Sequence, residues 1–242
     1  MHAKRALITG ASSGIGLACC RQLLDQGYEV VNLSRRPVPV TSPRLRSVAV
    51  DLSDAAATRE VALALTEDFP ATTIVHCAGM IREKSVDAVT LDDLTALTNL
   101  HLAAPLSLVQ ANLPTMQAAH FGRIVLVSSR AVLGLARRTA YASTKAGTLG
   151  LARTWSLELA KYGVTANVVA PGPIAETEMF HDLIPADSAK LAAVTQAVPV
   201  GRLGTPQDVA RAILFFASPE SSFITGQTLF VCGGTSVGII TY

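Results

Sequence analysis

The segment Thr9-Gly10-Ala11-Ser12-Ser13-Gly14-Ile15-Gly16 sets three glycines between the run Lys4 to Thr9 and a helical pattern of Ile15, Leu17, Ala18, Leu23 and Leu24 that stops at Gly27. A second apolar run, Val30 to Leu33, follows at once, so the chain opens as strand, glycine turn, helix, strand. A turn without side chains lets backbone N–H groups approach a diphosphate, and the positive end of the helix dipole favours its charge. Gly10, Ser12, Ser13, Gly14, Ile15 and Gly16 are therefore candidate contacts to a dinucleotide. A glycine turn with no ligand is the plainer alternative, and the place of this one in a leading βαβ unit argues against it.

Further strands are expected at Val48 to Val50, Thr73 to His76, Arg123 to Val127, Thr165 to Val169 and Thr228 to Val231, with helical patterns between nearly every pair. This alternation predicts an α/β fold: one Rossmann-type, doubly wound parallel sheet with helices on both faces. A length of 242 residues, half of them hydrophobic, suits a single dinucleotide-binding and catalytic domain spanning 1–242. Residues 175–200 follow Pro171, Gly172 and Pro173 and show no clean period, which predicts a mobile substrate lid.

The net charge of +2 is mixed along the chain and offers no track for nucleic acid. No run approaches the about 18 apolar residues that span a bilayer. After Lys4 and Arg5 only Ala6, Leu7 and Ile8 precede polar Thr9, too little for a signal peptide's apolar segment. Cys19, Cys20, Cys77 and Cys232 lack CxxC spacing and fit reduced thiols in a cytoplasm. His2, His120 and His181 form no metal-like spacing, and no metal is expected.

Where an acid after the second strand would bind the ribose 2′-hydroxyl of NAD, this chain has Ser34, Arg35 and Arg36. Arg35 offers a planar fork of donors to a 2′-phosphate, so NADP is the expected cofactor, with NAD as the alternative. Solvated loop charges are the competing reading of both arginines. Tyr141-Ala142-Ser143-Thr144-Lys145 opens a long helical pattern through Leu149, Ala152, Trp155, Leu159 and Ala160. Positions i and i+4 share a face, so Lys145 would sit near the Tyr141 phenol and lower its pKa, making it an acid or base. Taken alone such a pair is common; its weight comes from the dinucleotide turn upstream.

With these motifs in this order the chain resembles the short-chain dehydrogenase/reductase family, in its 3-oxoacyl reductase-like form, over almost its whole length. TGxxxGIG matches at residues 9–16, YxxxK at 141–145, and a PG motif at Pro171 and Gly172. The family's adenine-pocket acid matches Asp51, beside Leu52; its active-site serine matches Ser129, and its relay asparagine matches Asn99. The resemblance implies hydride transfer between a nicotinamide and a carbonyl or alcohol. Tyr141 would be the acid/base, Ser129 would hold the oxygen, and Lys145 would also bind the nicotinamide ribose. Asn99 would position a water linking Lys145 to solvent, and Ile174 and Thr177 would contact the nicotinamide end.

The chain departs from the family pattern in three places. His76-Cys77-Ala78-Gly79 stands where the family has NNAG: Ala78 and Gly79 keep the close backbone approach, Cys77 stays among the expected cofactor contacts, the asparagine side chains and their local hydrogen bonds are lost, and His76 is read as a structural substitute. The family's usual serine-to-tyrosine spacing lands on Ser128, whereas reading forward along Gly122 to Val127 reaches Ser129; Ser129 is preferred because loops absorb a deletion that would reverse the faces of a strand. An extra residue in Pro171 to Thr177 sets Thr177 one place later than usual.

Trp155 is expected to pack in a core or interface, Arg137 and Arg138 to be loop charges, and His101 to be a satisfied buried histidine. The expected function is an NADP-linked reductase or alcohol dehydrogenase in the cytoplasm, acting on a small molecule such as a 3-oxoacyl thioester or cyclic alcohol. The resemblance further implies a homotetramer built on helices around Leu106 to Leu113 and Leu149 to Leu159. The alternatives are a nicotinamide-binding regulatory protein without turnover, and lyase or isomerase chemistry with a tightly held cofactor.

Overall fold

The computed structural model describes residues 4–184 and 188–237. Seven parallel strands form one sheet: β1 (Arg5–Thr9), β2 (Glu29–Ser34), β3 (Leu45–Ala49), β4 (Thr73–His76), β5 (Gly122–Val127), β6 (Val164–Pro171) and β7 (Thr228–Val231), in the order β3-β2-β1-β4-β5-β6-β7. Helices α1 (Gly14–Asp25), α2 (Ala55–Asp68), α3 (Leu91–Thr98), α4 (Ala104–Ala119), α5 (Thr139–Leu159), α6 (Glu178–Leu183), α7 (Ala189–Gln196) and α8 (Pro206–Ala217) alternate with them. The expected Rossmann-type sheet is the observed one.

The two-residue period of a strand splits β1 between two cores. Leu7 points into a layer with Ala62 and Leu65 of α2, Leu108 and Met116 of α4, and Trp155 and Leu159 of α5. Ala6 and Ile8 point the other way, onto Cys19 and Leu23 of α1 and Val209 and Ile213 of α8. Being covered on both faces, the central strands must be apolar throughout, and each fully buried Leu, Ile or Val stabilises the fold by about 1.5–3 kcal/mol. Trp155 takes its expected place in the core. Edge strand β3 begins earlier than its sequence suggested, because the exposed polar pair Arg46 and Ser47 interrupts the apolar run.

Two local features shape the site. Between α3 and α4 the helix widens into a π turn at Asn99–Ala103, which displaces the side chains around Leu100 and His101 relative to a regular helix. Arg123 of β5 is buried and makes no ion pair among the described residues; its guanidinium donates to the backbone carbonyls of Gly122, Gly163, Ser218 and Pro219 and lies 4.3 Å from the Phe121 ring centroid.

Candidate active site

In a doubly wound sheet a crevice opens beyond the C-terminal strand ends, where the strand order reverses. Here β1 pairs with β2 on one side and β4 on the other, and a cavity of about 730 Å³ lies over these ends. Its wall contains every sequence-predicted site residue except Asn99.

At one wall the glycine turn is drawn tight. Gly10 has φ of +69°, and a Cβ there would lie 2.8 Å from the Ala78 Cα; at Gly16 a Cβ would meet the Gly10 carbonyl oxygen at 2.3 Å. Both positions therefore exclude any side chain. Ser13 leads into α1 in extended conformation with no side-chain cap, whereas Asp54, Thr90 and Thr205 cap α2, α3 and α8. Among the described residues the first N–H groups of α1 thus have no protein acceptor, and the cradle on the cavity wall fits a diphosphate.

Asn32 fixes the neighbouring strand end. Its Oδ1 accepts from the Ala11 N–H at 3.0 Å, its Nδ2 donates to Ser34 Oγ at 2.8 Å, and Ser34 in turn donates to the Arg36 carbonyl. The sequence reading passed over Asn32, although a lone amide inside Val30 to Leu33 was a visible signal. Arg35 is exposed on the wall and makes no hydrogen bond or ion pair among the described residues, so it suits an anionic group. Arg36 is held by Glu178 of α6. The Asp51 carboxylate accepts from the Ser53 N–H and hydroxyl, which hold it below its ordinary pKa, with Arg35 adding to the effect.

The chemical end lies on β5 and α5. Ser128 turns inward and donates to the Lys145 backbone carbonyl at 2.7 Å, while Ser129 lies on the cavity wall and faces Tyr141. Both serines reach the cavity wall; the Ser128 hydroxyl is committed to the Lys145 carbonyl, and that of Ser129 is the one beside the phenol. Burial pushes the Tyr141 phenol above its ordinary pKa, against the hydrogen bond from Ser129 and the charge of Arg138. Burial also pushes Lys145 down to about 8. Its Nζ lies 5.9 Å from the Tyr141 ring centroid and donates to the Val127 carbonyl at 2.7 Å. The pair shares a face as expected, but the phenol is raised rather than lowered, because desolvation outweighs the charges around it.

The floor is a polar chain. The Ala78 N–H donates to Thr9 Oγ1, which lies 3.0 Å from His76 Nδ1, and His76 Nε2 lies 3.0 Å from the Leu100 carbonyl. A carbonyl only accepts, so Nε2 carries the proton and Nδ1 receives the Thr9 hydroxyl. Burial holds this imidazole neutral, its pKa lowered to about 3. His76 thereby joins β1 to the π turn, the structural role expected of it. Burial pushes the Cys77 thiol up to about 12, and Gly79 lies against Lys145 and His101. Asn99 is directed elsewhere: its Nδ2 donates to the Ser53 carbonyl, tying the π turn to the loop that carries Asp51.

Beyond β6, Gly172 admits the Cys232 backbone, Ile174 is buried, and Thr177 caps α6 while its methyl packs against Gly14. Residues 175–200 contain α6 and α7 where the sequence showed no period; residues 185–187 of the expected lid lie outside the described residues. Arg137 and Arg138 both pair with Glu83, and Arg138 is buried rather than a solvated loop charge. Among the described residues no cluster could hold a metal ion, and no helix is long and apolar enough to cross a membrane.

A doubly wound sheet with a glycine cradle, a serine and a YxxxK helix around one cavity defines a nicotinamide-dependent oxidoreductase. The family model described as enoyl-(acyl carrier protein) reductase matches residues 10–236. The 3-oxoacyl-(acyl-carrier-protein) reductase FabG of Vibrio harveyi is 35% identical, with 97% of this chain and 98% of that one covered. The hydroxy(phenyl)methylsuccinyl-CoA dehydrogenase subunit BbsD of Thauera aromatica is also 35% identical, over 96% of each. Among solved structures, ElxO with NADP bound superposes with a TM-score of 0.88 at 27% identity, covering 97% of this chain and 99% of that one. 4-Hydroxyisoleucine dehydrogenase complexed with NADH gives a TM-score of 0.90 at 25% identity, covering 98% and 100%. The chain belongs to the short-chain dehydrogenase/reductase family and is an NAD(P)-dependent oxidoreductase of that family.

Proposed function

We propose that this enzyme interconverts a ketone and a secondary alcohol, prefers NADP(H), and uses Tyr141 as its acid/base. The observation that carries this reading is the convergence of Ser129, Tyr141 and Lys145 on the same cavity wall as the glycine cradle. The nicotinamide, when bound, supplies or accepts the hydride. In the reductive direction Tyr141 gives its proton to the carbonyl oxygen, and the Ser129 hydroxyl donates a hydrogen bond to that oxygen as its charge grows. A phenol kept protonated by burial is the form this direction needs. Lys145 stabilises the phenolate left behind and binds the nicotinamide ribose. Asn99 serves through the π turn it anchors.

Gly10, Ser12, Ser13, Gly14, Ile15 and Gly16 would hold the diphosphate; Asp51 and Leu52 the adenine; Cys77, Ala78 and Gly79 the adjoining ribose. Pro171, Gly172, Ile174 and Thr177 would bound the nicotinamide end. Arg35, an exposed cation beside Ser34 with no ion pair among the described residues, supports NADP over NAD. Ile81, Leu135, Phe180, Ile184 and Val198 give the remaining wall an apolar lining. That lining and the relatives named above favour a 3-oxoacyl thioester, with residues 175–200 closing over it as a lid. A homotetramer packed on helices such as α5, where Leu157 is 84% exposed, and a reducing cytoplasm suited to the free thiols complete the reading. A panel of 3-oxoacyl thioesters, simple ketones and alcohols, assayed with NADPH and NADH side by side, tests it. NADPH-linked turnover is expected, and a protein inert toward all of them with both cofactors would overturn it.

A further inference from the structure

The imidazole of His101, on the π turn, is fully buried and stands edge-on to Tyr141, with centroids 5.7 Å apart. Its Nδ1 lies 2.9 Å from Thr144 Oγ1. That hydroxyl directs its single proton to the carbonyls of Ala140 and Tyr141, so the hydrogen between it and the ring comes from Nδ1. Nε2 is then a bare lone pair, and it has no hydrogen-bond partner among the described residues.

This lone pair is not aimed at random. A Cβ built on Gly79 would sit 3.4 Å from His101 Nε2 and 3.4 Å from Lys145 Nζ, so the two nitrogens flank the space that the glycine leaves open. The opposite tautomer would turn a buried N–H toward an ammonium, and a protonated ring would place two cations together. The ionisable groups around the pair are Lys145 and Tyr141 on α5, His76 and Cys77 at the end of β4, and Arg138 beyond the phenol. None of them supplies a negative charge that would favour an imidazolium, and burial with the Lys145 charge holds His101 well below its ordinary pKa.

We propose that His101 is a positioning residue for Lys145: a neutral, Nδ1-protonated imidazole whose Nε2 receives a hydrogen bond from the Lys145 ammonium through one water across Gly79. The proposal rests on the oxidoreductase reading and deepens it. Lys145 already donates to Val127 on one side; a second acceptor fixes the ammonium in direction and keeps it charged despite its burial. The side chain of Asn99, turned to Ser53, does not fill this role.

The protein labelled with ¹⁵N-histidine and saturated with NADP⁺ tests the tautomer directly. A protonated Nδ1 and a bare Nε2 for His101 are expected at neutral pH, and an Nε2–H signal would overturn the proposal. In NADPH-linked turnover, His101→Phe should lower kcat about tenfold and move its alkaline limb about one unit toward lower pH, because the ammonium loses an acceptor. His101→Gln, which restores an acceptor near the Nε2 position, should return the limb toward the wild type. Equal losses in both variants with the limb unmoved would reduce His101 to a packing role and overturn the proposal. A wild type inert toward every carbonyl and alcohol would defeat the oxidoreductase reading instead, and the tautomer measurement would still decide on His101.

Discussion

Arg36 Nη2 donates to both carboxylate oxygens of Glu178, at 2.8 and 2.7 Å, and so ties the end of β2 to the first residue of α6. The loop after β2 and the helix that follows Pro171 and Gly172 are thereby linked across the cavity mouth. Both side chains are well exposed, so the pair matters more for which partner Arg36 chooses than for stability. Glu178→Gln frees Arg36 for a 2′-phosphate. The expected result is a fall in KM for NADPH on the order of two- to threefold, with KM for NADH unchanged. Steady-state titration of both cofactors checks it.

Arg35, which makes no hydrogen bond or ion pair among the described residues, should carry more of the cofactor choice. Arg35→Ala is expected to lower kcat/KM for NADPH on the order of tenfold to a hundredfold, through loss of a charge-assisted hydrogen bond, and to leave NADH within a factor of about two. Equal losses with both cofactors would place Arg35 outside the phosphate site.

Ser128 and Ser129 should part company on mutation. Ser129→Ala is expected to lower kcat on the order of a hundredfold, and Tyr141→Phe by a hundredfold to ten-thousandfold. Ser128→Ala should leave kcat within about threefold, yet cost about 1 kcal/mol of stability, since its buried hydroxyl bonds the Lys145 carbonyl. Kinetics and urea melts on the three variants settle the assignment, and a dead Ser128→Ala protein with normal stability would reverse it.

His76 should make the fold acid-sensitive. Its pKa is lowered to about 3 in the folded chain from an ordinary 6.5, so the unfolded chain binds the extra proton between these values. Stability from this group is complete above about pH 6.5 and is lost as the pH falls toward 3. His76→Asn should reduce that slope, leaving the part due to His101, which burial also holds low, as measured by denaturant midpoints across the range. An unchanged slope would mean that His76 is not the sensing group.

Lys145 should act in the alkaline range. With a folded pKa of about 8 against an ordinary 10.5, it opposes folding at neutral pH and ceases to do so as the pH rises between these values. Lys145→Met is therefore expected to be more stable than wild type near neutrality, by at most about 3 kcal/mol, with the gap narrowing as the pH rises. The raised thiols Cys19, Cys20 and Cys77 pull both proteins the other way, so the test is the difference between paired melts at each pH. A gap constant with pH would show that the ammonium is not what separates them.

What could be read from the sequence was what neighbours along the chain determine. The apolar run within Lys4 to Thr9, the glycines of residues 10–16 and the i to i+4 spacing of Tyr141 and Lys145 are local, and each lies where expected in the fold. The contacts that were not legible join distant segments. Arg36 meets Glu178 across 142 positions, Asn99 meets Ser53 across 46, and His101 meets Thr144 across 43. Asn99 was read by its motif, which says nothing of where a π turn directs the amide. The raised Tyr141 pKa was missed for a related reason: spacing shows which charge is near, and only the packed interior shows how much water has been removed.

Arg123 ties distant segments together, with a consequence for how the molecule comes apart. A permanently charged group enclosed by carbonyls from Gly122, Gly163, Ser218 and Pro219 cannot give up some of them while keeping the others, because the remainder would leave a cation stranded in an apolar interior. The far edge of the sheet is thus energetically coupled to its centre: loosening the connection after α8 costs Arg123 two of its four acceptors and weakens the hold on β5 and the turn before β6.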